Sequence, residues 1–333
     1  MKRKILFFLL ALLTLFSSLQ ARITGYLSFD YIKGEKESGL RHGTFQNSQA
    51  GLLFSGDITP TLSYLTEVRF NAESEVELEQ AWISLGSSEA FNLKLGLYLV
   101  QFGRYNQFNR PHQTMLIHPP LNVEKVYPSF WRDIGIQVQG RWRSFFYSAY
   151  LGNGLSEEEE LSRGQQFKDN NKDKGKGGRV GLALGRGLEV AYSYYNGKYD
   201  DTNERSLSLQ GADLLWVEQG YQIHAEYTRA SLELPDGTGT AEGFFVQAVM
   251  YMGKFWPVAC YQLLDYEDGF HGLGFISPDF PGAGISEKKR RWALGFMVQA
   301  SENLVLKFEY DFNREKDADL KDDSFSVQAA LSF

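Results

Sequence analysis

Five basic side chains crowd the stretch 104–125: Arg104, Arg110, His112, His118 and Lys125. Across the wider segment 101–131 they face a single acid, Glu124, among neutral amides at Asn106, Gln107, Asn109 and Gln113. A guanidinium offers paired N–H donors to carboxylates and other anions and repels cations. Arg104 and Arg110 therefore suit the recognition of charge rather than the breaking of bonds. Acids elsewhere, such as Glu67 or Asp133, would compete for the same guanidiniums. Other chemistry has weaker support. His42, His112, His118, His224 and His271 show no H-x-x-x-H spacing, and Cys260 is the only cysteine, so neither a metal nor a disulfide is expected. No G-x-S-x-G occurs, and Gly175-Lys-Gly-Gly178 lacks the glycine spacing of a phosphate loop. No cofactor and no enzymatic activity are expected.

The elements that must position these residues are strands. In 304–312 one parity is Leu304, Leu306, Phe308, Tyr310 and Phe312, and the other is Val305, Lys307, Glu309 and Asp311. Side chains of a strand alternate between faces, so the segment presents an apolar wall backed by charge. The run 324–333 repeats the pattern and ends on Phe333. So do 23–31, 62–70, 134–138, 188–194 and 292–298. So many half-apolar strands, with no second layer to cover them, call for lipid on one side. A sheet meets lipid only when it closes into a barrel without edges.

Lys2, Arg3 and Lys4 precede an apolar run from Ile5 to Phe16, followed by residues ending on Ala21, which reads as a signal peptide over 1–21. The remaining domain is 22–333. Its hydrophobic content of 43% and mean hydropathy of -0.32 suit strands that are only half apolar. Removing Lys2, Arg3 and Lys4 takes the net charge from -7 to -10, which argues against nucleic acid as a partner.

About 16 strands are expected, joined alternately by short turns and longer connections, the plan of an all-β transmembrane antiparallel barrel in the bacterial outer membrane. A bulge is expected at Glu79-Gln80, where parity slips. The segment 101–131 is the third long connection. Its prolines and its apolar residues, among them Phe102, Leu116 and Leu121, predict a loop that folds inward and narrows the lumen. The polar parity sends Glu67, Arg69, Lys94, Asp133, Arg179, Glu226, Lys307, Glu309 and Asp311 toward water inside a barrel of this size.

The stretches Gly103-Arg-Tyr-Asn-Gln-Phe-Asn-Arg-Pro-His112, His118-Pro-Pro120 and Trp131-Arg-Asp-Ile-Gly135 resemble the central segment of the phosphate-selective porin O/P group of outer-membrane porins. The resemblance implies a homotrimeric diffusion channel constricted by that loop. The dense ladder of arginines expected of a phosphate-selective channel is missing, so phosphate specificity is not implied. Passive diffusion of small hydrophilic solutes, anions among them, is the expected role. Outer-membrane lipid and lipopolysaccharide would surround it, and assembly machinery would recognise Phe333. A surface structural or adhesive barrel, and then a barrel hydrolase, are the alternatives.

Overall fold

The computed structural model describes residues 21–333 except 73–74, 159–160, 235–236, 267–287 and 317–319. The expected signal segment, save Ala21, and His271 lie outside the described residues. Sixteen antiparallel strands follow in order: β1 (Arg22–Gly34), β2 (Thr44–Thr59), β3 (Leu62–Asn71), β4 (Val76–Ser88), β5 (Phe91–Leu99), β6 (Arg132–Trp142), β7 (Phe145–Gly152) and β8 (Gly175–Ala183). The second half is β9 (Leu188–Lys198), β10 (Ser206–Glu218), β11 (Tyr221–Leu234), β12 (Gly237–Met250), β13 (Phe255–Tyr266), β14 (Lys288–Gln299), β15 (Leu304–Glu315) and β16 (Ser324–Ser332). Each strand pairs with its chain neighbours, and β16 returns to β1, so the sheet closes without an edge. Helix among the described residues is limited to α1 (Leu121–Lys125) and two short 3-10 turns at Tyr105–Gln107 and Leu161–Arg163.

The alternation seen in the sequence sets the register. Leu306 lies opposite Ala329, Phe308 opposite Val327 and Tyr310 opposite Phe325, whereas Lys307 meets Gln328 and Glu309 meets Ser326. Apolar pairs share the outer face and polar pairs the inner one. Phe255, Phe296 and Phe308 form a ladder across three strands, with ring centroids 5.0 and 4.6 Å apart. Ile134, Ile136, Leu182, Tyr192, Trp292, Leu294 and Phe325 are all exposed on that face. In water such a surface would be an association site, and in lipid it is the ordinary exterior of a barrel.

Closure reaches the terminal residue. Gly25 N–H donates to the Phe333 carbonyl at 2.9 Å and Phe333 N–H donates back at 3.0 Å. The short turns at 60–61, 89–90, 143–144, 184–187, 219–220, 251–254 and 300–303 gather at one end, and the long connections 100–131 and 153–174 begin at the other. The expected bulge is present. Gln80 lies opposite Glu67 and Leu78 opposite Val68, which leaves Glu79 as the extra residue. Two consecutive polar side chains, Glu79 and Gln80, are both buried as a result.

Candidate functional site: the loop-filled interior

The connection 100–131 folds into the barrel. Asn106, fully buried, closes its neck by donating to the carbonyls of Val100 (2.8 Å) and Trp131 (2.9 Å) and accepting Trp131 N–H at 2.7 Å. Beyond the neck, Glu226 on β11 anchors the loop. It accepts the N–H groups of Arg104 (2.7 Å) and Tyr105 (2.6 Å), takes the Tyr127 hydroxyl at 3.3 Å, and lies 2.9 Å from His224 Nε2. Gly103 permits this approach. Its φ is +62°, and a Cβ there would stand 2.5 Å from the Glu226 carboxylate.

Glycines on the inner wall make further seats. A Cβ at Gly211 on β10 would meet the Phe102 ring at 3.1 Å, one at Gly243 on β12 would meet Asn122 at 2.9 Å, and one at Gly295 on β14 would meet Leu116 at 3.0 Å. Leu121 N–H donates to Gln262 on β13 at 3.0 Å. Around these contacts lies an apolar core inside the barrel, in which Phe102, Val123, Val126, Tyr127 and Trp131 are fully buried with Phe245, Cys260 and Ala293. The sequence reading of a wet lumen holds only where the loop is absent.

Among the wall residues expected to face water, several face the loop instead. Glu226, Lys307, Glu309 and Asp311 point inward but are buried beneath it. Lys307 Nζ donates to the Thr114 hydroxyl at 2.8 Å and to the Leu116 carbonyl at 3.4 Å. Asp133 is buried too, and its carboxylate accepts the N–H groups of Ile134 (2.7 Å), Asn153 (2.9 Å) and Gly154 (3.0 Å). It shapes the start of the connection after β7 and pairs with neither Arg104 nor Arg110. Arg69 bridges to Glu79 and, at 2.7 Å, to Glu77, while Arg132 joins Glu79 at 2.6 Å. Lys94 lies over the Trp82 ring, 4.6 Å from its centre.

Arg104 and Arg110 do not act as a free pair. Arg110 is buried and grips Glu67 with two N–H groups, the Nε contact being 2.7 Å, while Gln80 donates to the same carboxylate at 2.7 Å. Arg104 binds Glu189 and lies 3.7 Å from Asp213. The two guanidiniums also line different cavities. One, of about 520 Å³, holds Arg110, His112, Gln107, Gln80 and Phe333. The other, of about 590 Å³, is lined by Arg104, Arg141, Arg179, Glu189, Gln139 and Phe146, with Glu89 at the turn. In the larger cavity Arg179 chelates Asp213 at 2.8 and 2.6 Å, and Arg141 reaches Glu189 at 2.8 Å. Phe146 carries both guanidiniums on its ring, 5.2 Å from Arg141 and 5.0 Å from Arg179. Arg141 is the most exposed of the three, with 45% of its side chain accessible. The sequence reading missed it, although Asp133, Gln137, Gln139 and Arg141 share one parity.

The loop histidines differ in charge. Burial, reinforced by Arg110 and Lys307, lowers His112 to about 4, so it is neutral at pH 7 against Tyr26, 5.2 Å between ring centres. Burial opposes charge on His118 as well, but Glu309 and Asp311 outweigh it and carry the imidazole up to about 9. Lys125 is half-exposed and lies 3.4 Å from Glu124. The expected run of cations is thus one neutral ring and several paired charges.

No family model matches the chain. An uncharacterised protein of Aquifex aeolicus is 24% identical over an alignment 187 positions long that covers 48% of this chain and 43% of that protein, so the match spans less than half the relative's length. Solved structures share the fold across nearly the whole chain. The anion-selective porin of Comamonas acidovorans superposes with a TM-score of 0.69 at 13% identity, covering 94% of this chain and 99% of that one. OmpF of Salmonella typhi gives 0.69 at 13% over 95% and 98%, and OmpT of Vibrio cholerae, in trimer form, gives 0.67 at 13% over 94% and 99%. The chain thus has the sixteen-stranded barrel fold of these outer-membrane proteins.

Proposed function

We propose that the protein is an outer-membrane channel for passive diffusion of small hydrophilic solutes, constricted by the loop 101–131, and not an enzyme. The observation that carries this reading is a closed barrel, apolar outside, whose interior keeps polar cavities of about 590 and 520 Å³ beside an inserted loop. Lys94 and Arg141 supply the bias toward anions, Arg141 because it stays far more exposed beside its partner Glu189 than Arg104, Arg110 and Arg179 do beside theirs. The resemblance to phosphate-selective porins is not extended to phosphate for the same reason. Assembly as a homotrimer in outer-membrane lipid and lipopolysaccharide, with insertion guided by Phe333, belongs to the same reading.

Planar-bilayer recording of the purified protein tests it. Stable open steps with a reversal potential on the anion side of zero in a KCl gradient are expected. Absence of any open step ends the channel reading and favours a structural barrel.

A further inference from the structure

Where the loop passes β15, it sets a histidine over two carboxylates of one strand face. Glu309 and Asp311 are two residues apart and so share the inner face. His118 joins them from 193 positions away, its Nδ1 2.8 Å from Asp311 Oδ2 and 3.7 Å from Glu309 Oε1. One donor atom from each of the three residues lies within 4.8 Å of the others. The carboxylate side chains are 1% and 2% exposed. One oxygen of each, Glu309 Oε1 and Asp311 Oδ1, is buried without a hydrogen-bond partner. Buried anionic oxygens left unpaired are costly unless a proton or a cation serves them.

The surroundings favour a cation. Glu309 Oε2 is already occupied by the N–H groups of Ile117 and His118, which leaves Oε1 turned toward the imidazole. His118 Nε2 lies 3.3 Å from the Ser326 hydroxyl, an outer partner that fixes the ring with Nδ1 toward the carboxylates. Two neighbouring cations, Lys307 and Arg291, act on the carboxylates through space but donate no hydrogen bond to either of them. Lys307 Nζ donates to Thr114 and Leu116, and Arg291 donates to Asn313 at 3.0 Å and approaches Glu124 at 3.7 Å. One imidazole with two carboxylates is a donor set for a borderline divalent ion, closer to zinc than to magnesium. We propose that His118, Glu309 and Asp311 form a Zn²⁺ site that clamps the inserted loop to β15. Loading exchanges the proton on Nδ1 for the metal, with water completing the coordination. The proposal depends on the inward fold of the loop and not on solute passage.

Untagged protein in detergent, stripped with a chelator, is titrated with Zn²⁺ and separately with Mg²⁺ by calorimetry. One Zn²⁺ per chain is expected, with Mg²⁺ bound at least about 100-fold more weakly. His118→Ala and Asp311→Asn should each weaken Zn²⁺ at least about tenfold, and Ser326→Ala by about tenfold through loss of the outer partner. Unchanged affinity in His118→Ala overturns the site, as does a wild type that takes up no Zn²⁺. X-ray absorption at the zinc edge of the loaded wild type decides the matter without variants. One imidazole nitrogen among oxygens supports the assignment, and a sulfur ligand or several imidazoles refute it.

Discussion

The inner wall of the barrel has two sectors that spend charge differently. From β9 round to β16, and on to β1 and β3, wall residues face the inserted loop, and their charges are consumed in holding it. Glu226 takes backbone N–H groups, Glu67 takes Arg110, and Lys307 donates to the loop. Along β5 to β8 the loop is not docked; Lys94 lies over an aromatic ring, and Gln139 and Arg141 border open space, Arg141 with Glu189 as its partner. Both sectors read alike in the sequence, as polar residues on one parity. The difference teaches that a charge on the inner face stays open to the lumen only where the inserted loop does not cover it. A substitution in the docked sector should therefore cost stability, and one in the open sector should change selectivity at little cost.

The largest effect is expected at Glu226. Glu226→Ala leaves two buried backbone N–H groups of the loop without an acceptor and removes the partner of His224 and Tyr127. A loss of about 3 to 5 kcal/mol is expected in urea unfolding of the barrel in lipid. The released loop should also raise single-channel conductance. A fully stable variant with unchanged conductance would show that the loop is held from elsewhere.

Arg110 comes next, because its removal strands Glu67 in a buried site. Arg110→Ala should cost about 3 kcal/mol, whereas Arg110→Ala with Glu67→Gln should cost clearly less than the two single changes added together. The double-mutant cycle in the same unfolding assay measures this coupling. Reversal potential should barely move in the double variant, which removes a neutral pair. A large shift toward cations would return Arg110 to the role of a solute contact.

The strands were legible in the sequence because a period of two survives in every wall segment, and even the bulge at Glu79 announced itself as a slip in parity. Leu304 to Phe312 already separated lipid face from inner face without any knowledge of partners. The occupancy of the inner face was not legible. Gly211, Gly243 and Gly295 carry no side chain to announce a contact, yet each is a seat for a loop side chain. His118, Glu309 and Asp311 lie too far apart in the chain for any spacing rule to join them. Local patterns encode which face a side chain takes, and only the folded loop decides what stands opposite it.

In the open sector, Arg141→Ala and Lys94→Gln should each lower the anion-to-cation permeability ratio, by about twofold for Arg141, the more exposed group. Stability of Arg141→Ala should stay within about 0.5 kcal/mol of the parent, as its side chain is 45% accessible. Reversal potentials and unfolding curves collected on the same preparations check both halves of this expectation. An effect on stability without one on selectivity would erase the distinction between the sectors.

The last effect concerns pH, and it sharpens the comparison inside the docked sector itself. His112 is held neutral there, lowered from 6.5 to about 4 by burial and by Arg110 and Lys307. The folded protein therefore binds this proton less readily than the unfolded chain does. Stability from the neutral ring is fully present above about pH 6.5 and is lost as pH falls toward 4. Melting temperature in detergent should decline across that window, and His112→Asn should flatten the decline because the amide does not titrate. Equal slopes in the two proteins would mean that the ring escapes its pocket before it takes the proton, and that the loop near Tyr26 is held by Arg110 alone.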